Sequence, residues 1–271
     1  MAIGLSRRVV LITGASSGIG KATALAMGRV GAKVGLVARR ADRLETVAAE
    51  IKALGGAALV FPGDVADPAT LKGAVEGCVS RFGRLDVLVN NAGAGFIATI
   101  EQTTVEDLDQ VLAVNFKGAF HGILAALQVM RRQGDGHIIN VASTAGRRGS
   151  PYVGAYCASK FAMVGLTESL RVELLGSGIC VSLVCPGATR TEFFDAARRR
   201  TQRHRGMIGP VESAERVAAR IVKLIEHPRA EAIAQPIRRK IFLALNLIAP
   251  GLVDRLLARL IGSGEETTGH A

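Results

Sequence analysis

The chain has no tryptophan, two tyrosines and eight prolines in 271 residues, and its four cysteines, at 78, 157, 180 and 185, form no C-x-x-C pair. With no histidine at zinc-ligand spacing beside them, they argue against a structural zinc and a disulfide framework and point to a reducing, cytoplasmic setting. The first residues hold no apolar core of the kind a secretory signal needs, because the run Val9 to Ile12 is short and leads straight into glycines. Near the C-terminus, uncharged residues run only from Ile241 to Val253, fewer than the roughly 20 that a spanning helix takes. Acids are scarce relative to bases, 23 against 34 for a net charge of +11, and the imbalance is steeper in residues 190–271, with 15 bases and 9 acids. No basic-aromatic stripe accompanies this charge, so nucleic acid is not an expected partner. An anionic small molecule or surface, or a solvated face, accounts for it equally.

What is present is a globular composition, 49% apolar and 21% charged, at a length that suits one large domain. Runs rich in Val, Ile and Leu recur at Val9 to Ile12, Lys33 to Ala38, Ala57 to Phe61, Asp86 to Asn90, His137 to Ala142 and Ile179 to Val184, each beside a longer helix-like stretch. Strands buried on both faces read as unbroken apolar runs, and parallel strands need crossovers. The alternation therefore predicts an α/β fold with a doubly wound parallel sheet in a single domain. Ala66-Asp67-Pro68 reads as a helix N-cap with proline in the first turn, and Gly31, Gly55 and Gly83 fall near helix ends. The rhythm fails after about residue 235. There Ile237 to Ile248 and Leu252 to Ile261 read as two apolar helices split by Pro250-Gly251, with Arg238, Arg239, Lys240, Arg255 and Arg259 around them. The expectation is a unit over residues 1–235 and a helical extension over 236–271 with a polar tail. Residues 237–261 either pack against a subunit or the substrate, or make peripheral membrane contact.

The first run ends in Gly14-Ala15-Ser16-Ser17-Gly18-Ile19-Gly20, and an apolar-periodic helix is predicted from about Lys21. Three glycines remove Cβ atoms where the chain turns, where a pyrophosphate must approach and where helix meets sheet, while free N–H groups and the helix dipole favour the anion. Gly14, Ser16, Ser17, Gly18, Ile19 and Gly20 are thus candidate cofactor contacts, although the spacing is G-x-x-x-G-x-G rather than G-x-G-x-x-G. After the second run, Arg39 and Arg40 stand where such folds read the adenosine ribose. Arginine suits a 2′-phosphate where an acid would suit a 2′-hydroxyl, so NADP (NADPH) is expected rather than NAD. Asp42 and Glu45 are near enough in sequence to pair with these arginines at the surface.

Further along come Asn90-Asn91-Ala92-Gly93, then Asn115, then Ser143, then Tyr156-Cys157-Ala158-Ser159-Lys160, then Pro186-Gly187-Ala188-Thr189-Arg190-Thr191. In this order and spacing, with Thr13 to Gly20 and Asp64 before them, these residues make the chain resemble the short-chain dehydrogenase/reductase family over about residues 7–235. The resemblance implies a Rossmann-like fold, an NAD(P)-dependent oxidoreductase acting on a carbonyl or secondary alcohol, and a homodimer or homotetramer. It makes Tyr156 the proton donor or acceptor, has Ser143 hydrogen-bond the reacting oxygen, and puts Lys160 beside Tyr156 and on the nicotinamide ribose. Asn115 matches the residue that holds a water-linked proton relay behind the lysine. The cofactor contacts implied are Asp64 and Val65 at the adenine, and Asn91, Ala92 and Gly93 along the ribose side, with Asn115, Tyr156 and Lys160 beside them. Pro186, Gly187, Ala188 and Thr191 would frame the nicotinamide, with Thr189 able to replace Thr191. Residues four apart on a helix share a face, so Tyr156 and Lys160 point together, and an ammonium would lower a phenol pKa of about 10. Cys157 points elsewhere around the helix and is expected to pack, while the histidines at 121, 137, 204, 227 and 270 show no ligand spacing and are given no role. No metal is expected.

Substrate choice falls to the segment Thr144 to Val153 and the segment after Thr191. The latter contains Arg198-Arg199-Arg200-Thr201-Gln202-Arg203-His204-Arg205, five arginines without an acid. Such a run could clamp a phosphate or carboxylate, face anionic lipid, or be a solvated face. The expected substrate is apolar: a ketone, an aldehyde, or a lipid-like or 3-oxoacyl compound. An NAD-dependent alcohol dehydrogenase and a weakly catalytic, membrane-associated nucleotide-binding protein are the alternatives, and the intact Ser143, Tyr156 and Lys160 favour an enzyme. A sugar-nucleotide epimerase is disfavoured because little chain beyond residue 190 could build a separate substrate domain.

Overall fold

The computed structural model describes residues 4–193, 195–201, 211–233 and 236–262, the last group without the side chains of 236, 238–240 and 260–262. Arg203, His204 and Arg205 of the basic run, His270 and the polar tail from residue 263 lie outside the described residues.

Seven strands form one parallel sheet: β1 (Val9–Thr13), β2 (Lys33–Ala38), β3 (Ala57–Pro62), β4 (Val87–Asn90), β5 (Gly136–Val141), β6 (Ile179–Cys185) and β7 (Glu231–Ile233). Their order is β7-β6-β5-β4-β1-β2-β3, every neighbouring pair being parallel. The six expected strands are present with ends shifted by a residue or so. The seventh was not expected: three half-buried residues make no apolar run, and β7 exists through its pairing with β6, Ala232 beside Val184.

Helices α1 (Gly18–Arg29), α2 (Ala41–Ala53), α3 (Pro68–Phe82), α4 (Val105–Leu112), α5 (Gly118–Gln133), α6 (Gly154–Glu173) and α7 (Ala214–Glu226) cover the two faces. β1 shows why both must be covered. All five of its residues are buried. Val10 and Ile12 join a core with Met27 of α1, Ile51 of α2 and Val217 of α7, while Val9 and Leu11 join one with Leu71 of α3, Ile123 of α5 and Leu170 of α6. Each such side chain gains about 1.5–3 kcal/mol by leaving water, so the alternating apolar strand holds helices on both sides. α3 begins as expected: Asp67 accepts from Ala69 N at 2.9 Å with proline in the first turn.

From β1 the chain winds outward through β2 and β3, then returns to lay β4 on the other side of β1. The connections beyond the C-terminal ends of β1 and β4 diverge, which opens the crevice where doubly wound sheets bind ligands. Thr13 ties its floor: Thr13 Oγ1 accepts from the backbone N–H of Asn91 and of Ala92, each at 2.9 Å, and Asn91 Nδ2 donates to Thr13 O at 2.9 Å. Beyond β7, α8 (Pro236–Ile248) and α9 (Pro250–Gly262) form a hairpin bent by 117° at the proline. Val253 is fully buried and Asp254 pairs with Arg148, whereas Ile237, Ile241, Leu247 and Ile248 are exposed.

Candidate active site

The glycine turn becomes the first turn of α1 itself. Ser17 is extended and its carbonyl accepts from Lys21 N at 3.1 Å, so the helix starts at Gly18 and not at Lys21. Glycine is a poor helix former, and tertiary contact overrides that propensity here. Gly14 has φ +66° and a Cβ there would lie 2.9 Å from Ala92 Cα; a Cβ on Gly20 would lie 2.2 Å from Gly14 O. Gly20 therefore supports the turn from behind and does not face the crevice, unlike Gly14, Ser16, Ser17, Gly18 and Ile19. Ser17 makes no side-chain cap, although Asp67, Thr104 and Ser213 cap α3, α4 and α7. A helix N-terminus left uncapped on a crevice wall presents N–H donors and a positive dipole end to an anion, which fits a dinucleotide pyrophosphate.

Arg39 and Arg40 are exposed on the same wall. Arg40 Nη2 donates to Ser16 Oγ and Ser17 Oγ, each at 3.1 Å. The acid that meets Arg40 is neither Asp42 nor Glu45 but Glu192, 3.5 Å away, which also meets Arg43 at 2.7 Å. Asp64 Oδ1 accepts from Ala66 N at 2.9 Å and shapes a turn; with the buried Val65 it lines the wall beyond Arg40.

At the inner end, Ser143 follows β5 and caps a single 3-10 turn, its Oγ accepting from Ala145 N at 3.1 Å while it also hydrogen-bonds Tyr156. Tyr156 and Lys160 project from adjacent turns of α6 and are both buried. Lys160 Nζ donates to Val141 O at 3.1 Å and lies 5.7 Å from the Tyr156 ring centre. The expected lowering of the phenol pKa is reversed here. Burial pushes Tyr156 up to about 12, against the weaker effect of the Ser143 hydrogen bond, and pushes Lys160 down to about 8.

Asn115 lies in a π turn, Ala113–Lys117, between α4 and α5. Its Nδ2 donates to Ala94 O at 3.0 Å and Ser159 Oγ at 2.9 Å, and its Oδ1 accepts from Ala94 N at 2.6 Å. Both amide protons are thus used to clamp the segment following Asn91-Ala92-Gly93 onto α6, and the side chain stays behind the crevice wall. A π turn inserts one residue and re-aims a side chain, a device common at functional sites and invisible in apolar periodicity.

Pro186, Gly187 and Ala188 line the crevice opposite the glycine turn. The two threonines separate: Thr189 Oγ1 donates back to Gly187 O at 3.0 Å, whereas Thr191 sets its methyl over Gly18 and bridges the crevice. Together these surfaces enclose a continuous cavity of about 1020 Å³, running from the glycine turn past Tyr156 to Phe193, Phe242 and Leu257. Phe193 lies 5.6 Å from the Tyr156 ring. Arg43, Glu192, Phe193 and Phe242 escaped sequence reasoning, as did the tie that Thr13 makes to Asn91 and Ala92. Phe193 and Glu192 at least fall in the segment after Thr191, but Phe242 reaches the cavity only because the α8–α9 hairpin folds back.

The described part of the basic run is not a free anion clamp. Arg198 Nη1 and Arg200 Nε lie 2.9 and 2.6 Å from the carboxylate of Asp107, which is 1% exposed and also forms the α4 capping box with Thr104. These two arginines fasten their segment to α4. Cys157 packs as expected, its Sγ accepting from Ser150 N at 3.4 Å. No described histidine lines the cavity, and no cluster able to hold a metal occurs among the described residues.

A family model described as short chain dehydrogenase matches residues 8–202. An uncharacterized oxidoreductase of Thermotoga maritima is 45% identical over 185 residues, spanning 68% of this chain and 73% of its own. The ketoacyl reductase HetN of a Nostoc species is 33% identical over 258 residues, spanning 93% of this chain and 88% of its own. The crystal structure of a short chain dehydrogenase/reductase from Burkholderia phymatum in complex with NAD superposes with a TM-score of 0.82 at 28% identity, over 90% of this chain and 94% of that one. With the parallel sheet, the glycine turn and the Ser143, Tyr156 and Lys160 cluster, these likenesses show that the chain belongs to the short-chain dehydrogenase/reductase family, as an NAD(P)-dependent oxidoreductase.

Proposed function

We propose that this oxidoreductase uses NADP to interconvert the carbonyl and secondary alcohol of an apolar substrate, of ketone, aldehyde or 3-oxoacyl type. The observation that carries the reading is the hydrogen-bonded Ser143–Tyr156 pair beside Lys160, at the inner end of a cavity whose other end is the glycine turn and Arg40. The dinucleotide, when bound, supplies or accepts the hydride. Tyr156 gives its phenolic proton to the carbonyl oxygen as the carbon gains hydride, so the Tyr156 O–H breaks and an alcohol O–H forms. Ser143 donates to the same oxygen and stabilises the charge developing on it. Burial pushes the Tyr156 phenol up to about 12, so it is protonated at neutral pH, as a proton donor must be, while its proton is harder to give up than that of an unperturbed tyrosine.

The uncapped α1 N-terminus with Ser16 and Ser17 would hold the pyrophosphate, and Arg39 and Arg40 the 2′-phosphate. Asp64 and Val65 would flank the adenine, and the segment Asn91 to Gly93, clamped by Asn115, the ribose side. Lys160 would meet the nicotinamide ribose, with Pro186, Gly187, Ala188 and Thr191 around the ring. The Burkholderia relative holds NAD, so the choice of NADP here rests on Arg39 and Arg40. Phe193, Phe242 and Leu257 on the outer wall support an apolar substrate, and the ketoacyl reductase HetN supports a 3-oxoacyl group.

In this reading residues 1–235 form the catalytic unit of a cytoplasmic homodimer or homotetramer. The extension over 236–271 covers the substrate with its inner face and makes peripheral membrane contact with its exposed apolar one. Calorimetric titration with NADPH and NADH at one salt concentration tests the cofactor assignment. NADPH is expected to bind more tightly, and replacing Arg39 and Arg40 by alanine to weaken NADPH far more than NADH. Equal weakening removes the 2′-phosphate assignment, and failure of the folded protein to bind either cofactor removes the enzymatic one.

A further inference from the structure

Glu192 pairs with Arg40, the arginine to which the 2′-phosphate is assigned above, and with its neighbour Arg43. It follows Thr191 on the nicotinamide side of the crevice, yet its carboxylate reaches across the mouth to the start of α2, joining residues 149 positions apart in the chain. One oxygen, Oε2, lies 2.7 Å from Arg43 Nη1 and 3.5 Å from Arg40 Nη1. The other amino group of Arg40 is held by Ser16 and Ser17 on the glycine turn. Hydrogen bonding to Arg43, with the charges of both arginines, holds the Glu192 carboxyl below the usual carboxylate range, so it is an anion throughout the neutral range. The same short segment carries Thr191, whose methyl rests over Gly18, and Phe193, which flanks Tyr156.

We propose that Glu192 is a built-in competitor for the 2′-phosphate: an intramolecular anion on Arg40 and Arg43 that a phosphorylated dinucleotide must displace and an unphosphorylated one need not. The proposal rests on the assignment of Arg40 to that phosphate. A guanidinium recognises carboxylate and phosphate with the same planar donors, and a phosphomonoester, with about −1.5 to −2 charges and three acceptor oxygens at pH 7, outbids a single carboxylate. The displacement lowers the NADPH preference below what the arginines alone would confer. It also frees the segment that carries Phe193, so that a phosphate arriving at the adenosine end loosens the wall beside Tyr156.

The test measures dissociation constants of NADPH and NADH by calorimetry at one ionic strength, for the full chain and for its Glu192→Gln, Glu192→Ala and Glu76→Gln variants. Glu76 is exposed on α3 and does not line the cavity, so its variant controls for net charge alone. Both Glu192 variants are expected to bind NADPH about three- to tenfold more tightly, with NADH unchanged and Glu76→Gln like the unsubstituted chain. Any outcome in which NADPH gains no more than NADH overturns the proposal: a strap that merely supported the loop would weaken both when cut, and a general charge effect would appear in Glu76→Gln as well. The NADPH to NADH ratio of the unsubstituted chain reports separately on the cofactor assignment. A chain that prefers NADH, but turns toward NADPH on Glu192→Gln, refutes that assignment and upholds the competitor.

Discussion

Burial governs the charge of the groups that meet at the inner end of the crevice. Tyr156 is 7% and Lys160 4% exposed, and losing water penalises phenolate and ammonium alike, moving the two pKa values apart to about 12 and about 8. At pH 7 the pair is a phenol beside an ammonium, the state a proton donor requires. Tyr156→Phe keeps the ring against Phe193 and removes only the O–H. Turnover is expected to fall at least about 100-fold while calorimetry finds NADPH affinity nearly unchanged; retained turnover above a few percent would take Tyr156 out of the mechanism. His137 is ruled by burial in another way. Its Nε2 meets Ser182 Oγ at 2.8 Å, and desolvation pushes its pKa from the usual 6.5 down to about 4. The unfolded chain therefore binds a proton that the folded chain refuses, so stability falls as pH drops from about 6.5 toward 4. His137→Gln is expected to escape about 2 kcal/mol of that loss at pH 5, read as the difference between urea unfolding free energies at pH 7 and pH 5.

The first turn of α1 does the most with the least side chain. Since a Cβ on Gly20 would meet Gly14 O at 2.2 Å, Gly20→Ala must push α1 away from the end of β1. A loss of about 1–3 kcal/mol in stability and of at least tenfold in affinity for both dinucleotides is expected; normal binding of both would show that the turn does not cradle the phosphates. Elements of this kind were largely legible in the chain. Strands buried on both faces announce themselves as apolar runs, and Asp67-Pro68 announces α3. β7 was not legible, because Glu231-Ala232-Ile233 takes its structure from pairing with β6, nor was the π turn, because Asn115 sits there for contacts with Ala94 and Ser159. Nor does the basic run 198–205 announce that Arg198 and Arg200 meet Asp107 of α4, which is distant in sequence.

At the scale of the whole molecule, the α8–α9 hairpin reaches the cavity. Phe242 and Leu257 close its outer wall and Arg148 ties α9 to the segment after Ser143 through Asp254. Outside, Ile237, Ile241, Leu247 and Ile248 face away from the core, with the exposed Arg255 and Arg259 on the next helix. Deleting residues 237–271 is expected to raise KM for an apolar carbonyl substrate while leaving NADPH binding intact, because the glycine turn and arginines lie on other elements. Flotation with anionic vesicles checks the membrane contact: the full chain should float and the truncated chain should not, with the oligomer unchanged by size exclusion. Loss of the oligomer on truncation would make the outer face a subunit contact instead.

Local order carries a long way in this chain. The sheet, the glycine turn and the Tyr156–Lys160 pair follow from patterns repeating over two to four residues, where backbone geometry alone sets which side chains share a face. The partner of Arg40, the reversal of the tyrosine pKa, the clamp made by Asn115 and the place of Phe242 and Leu257 on the cavity wall follow from no such pattern. Each depends on distance through space and on how much water is left around a group, and neither quantity exists until segments far apart in the chain have packed together.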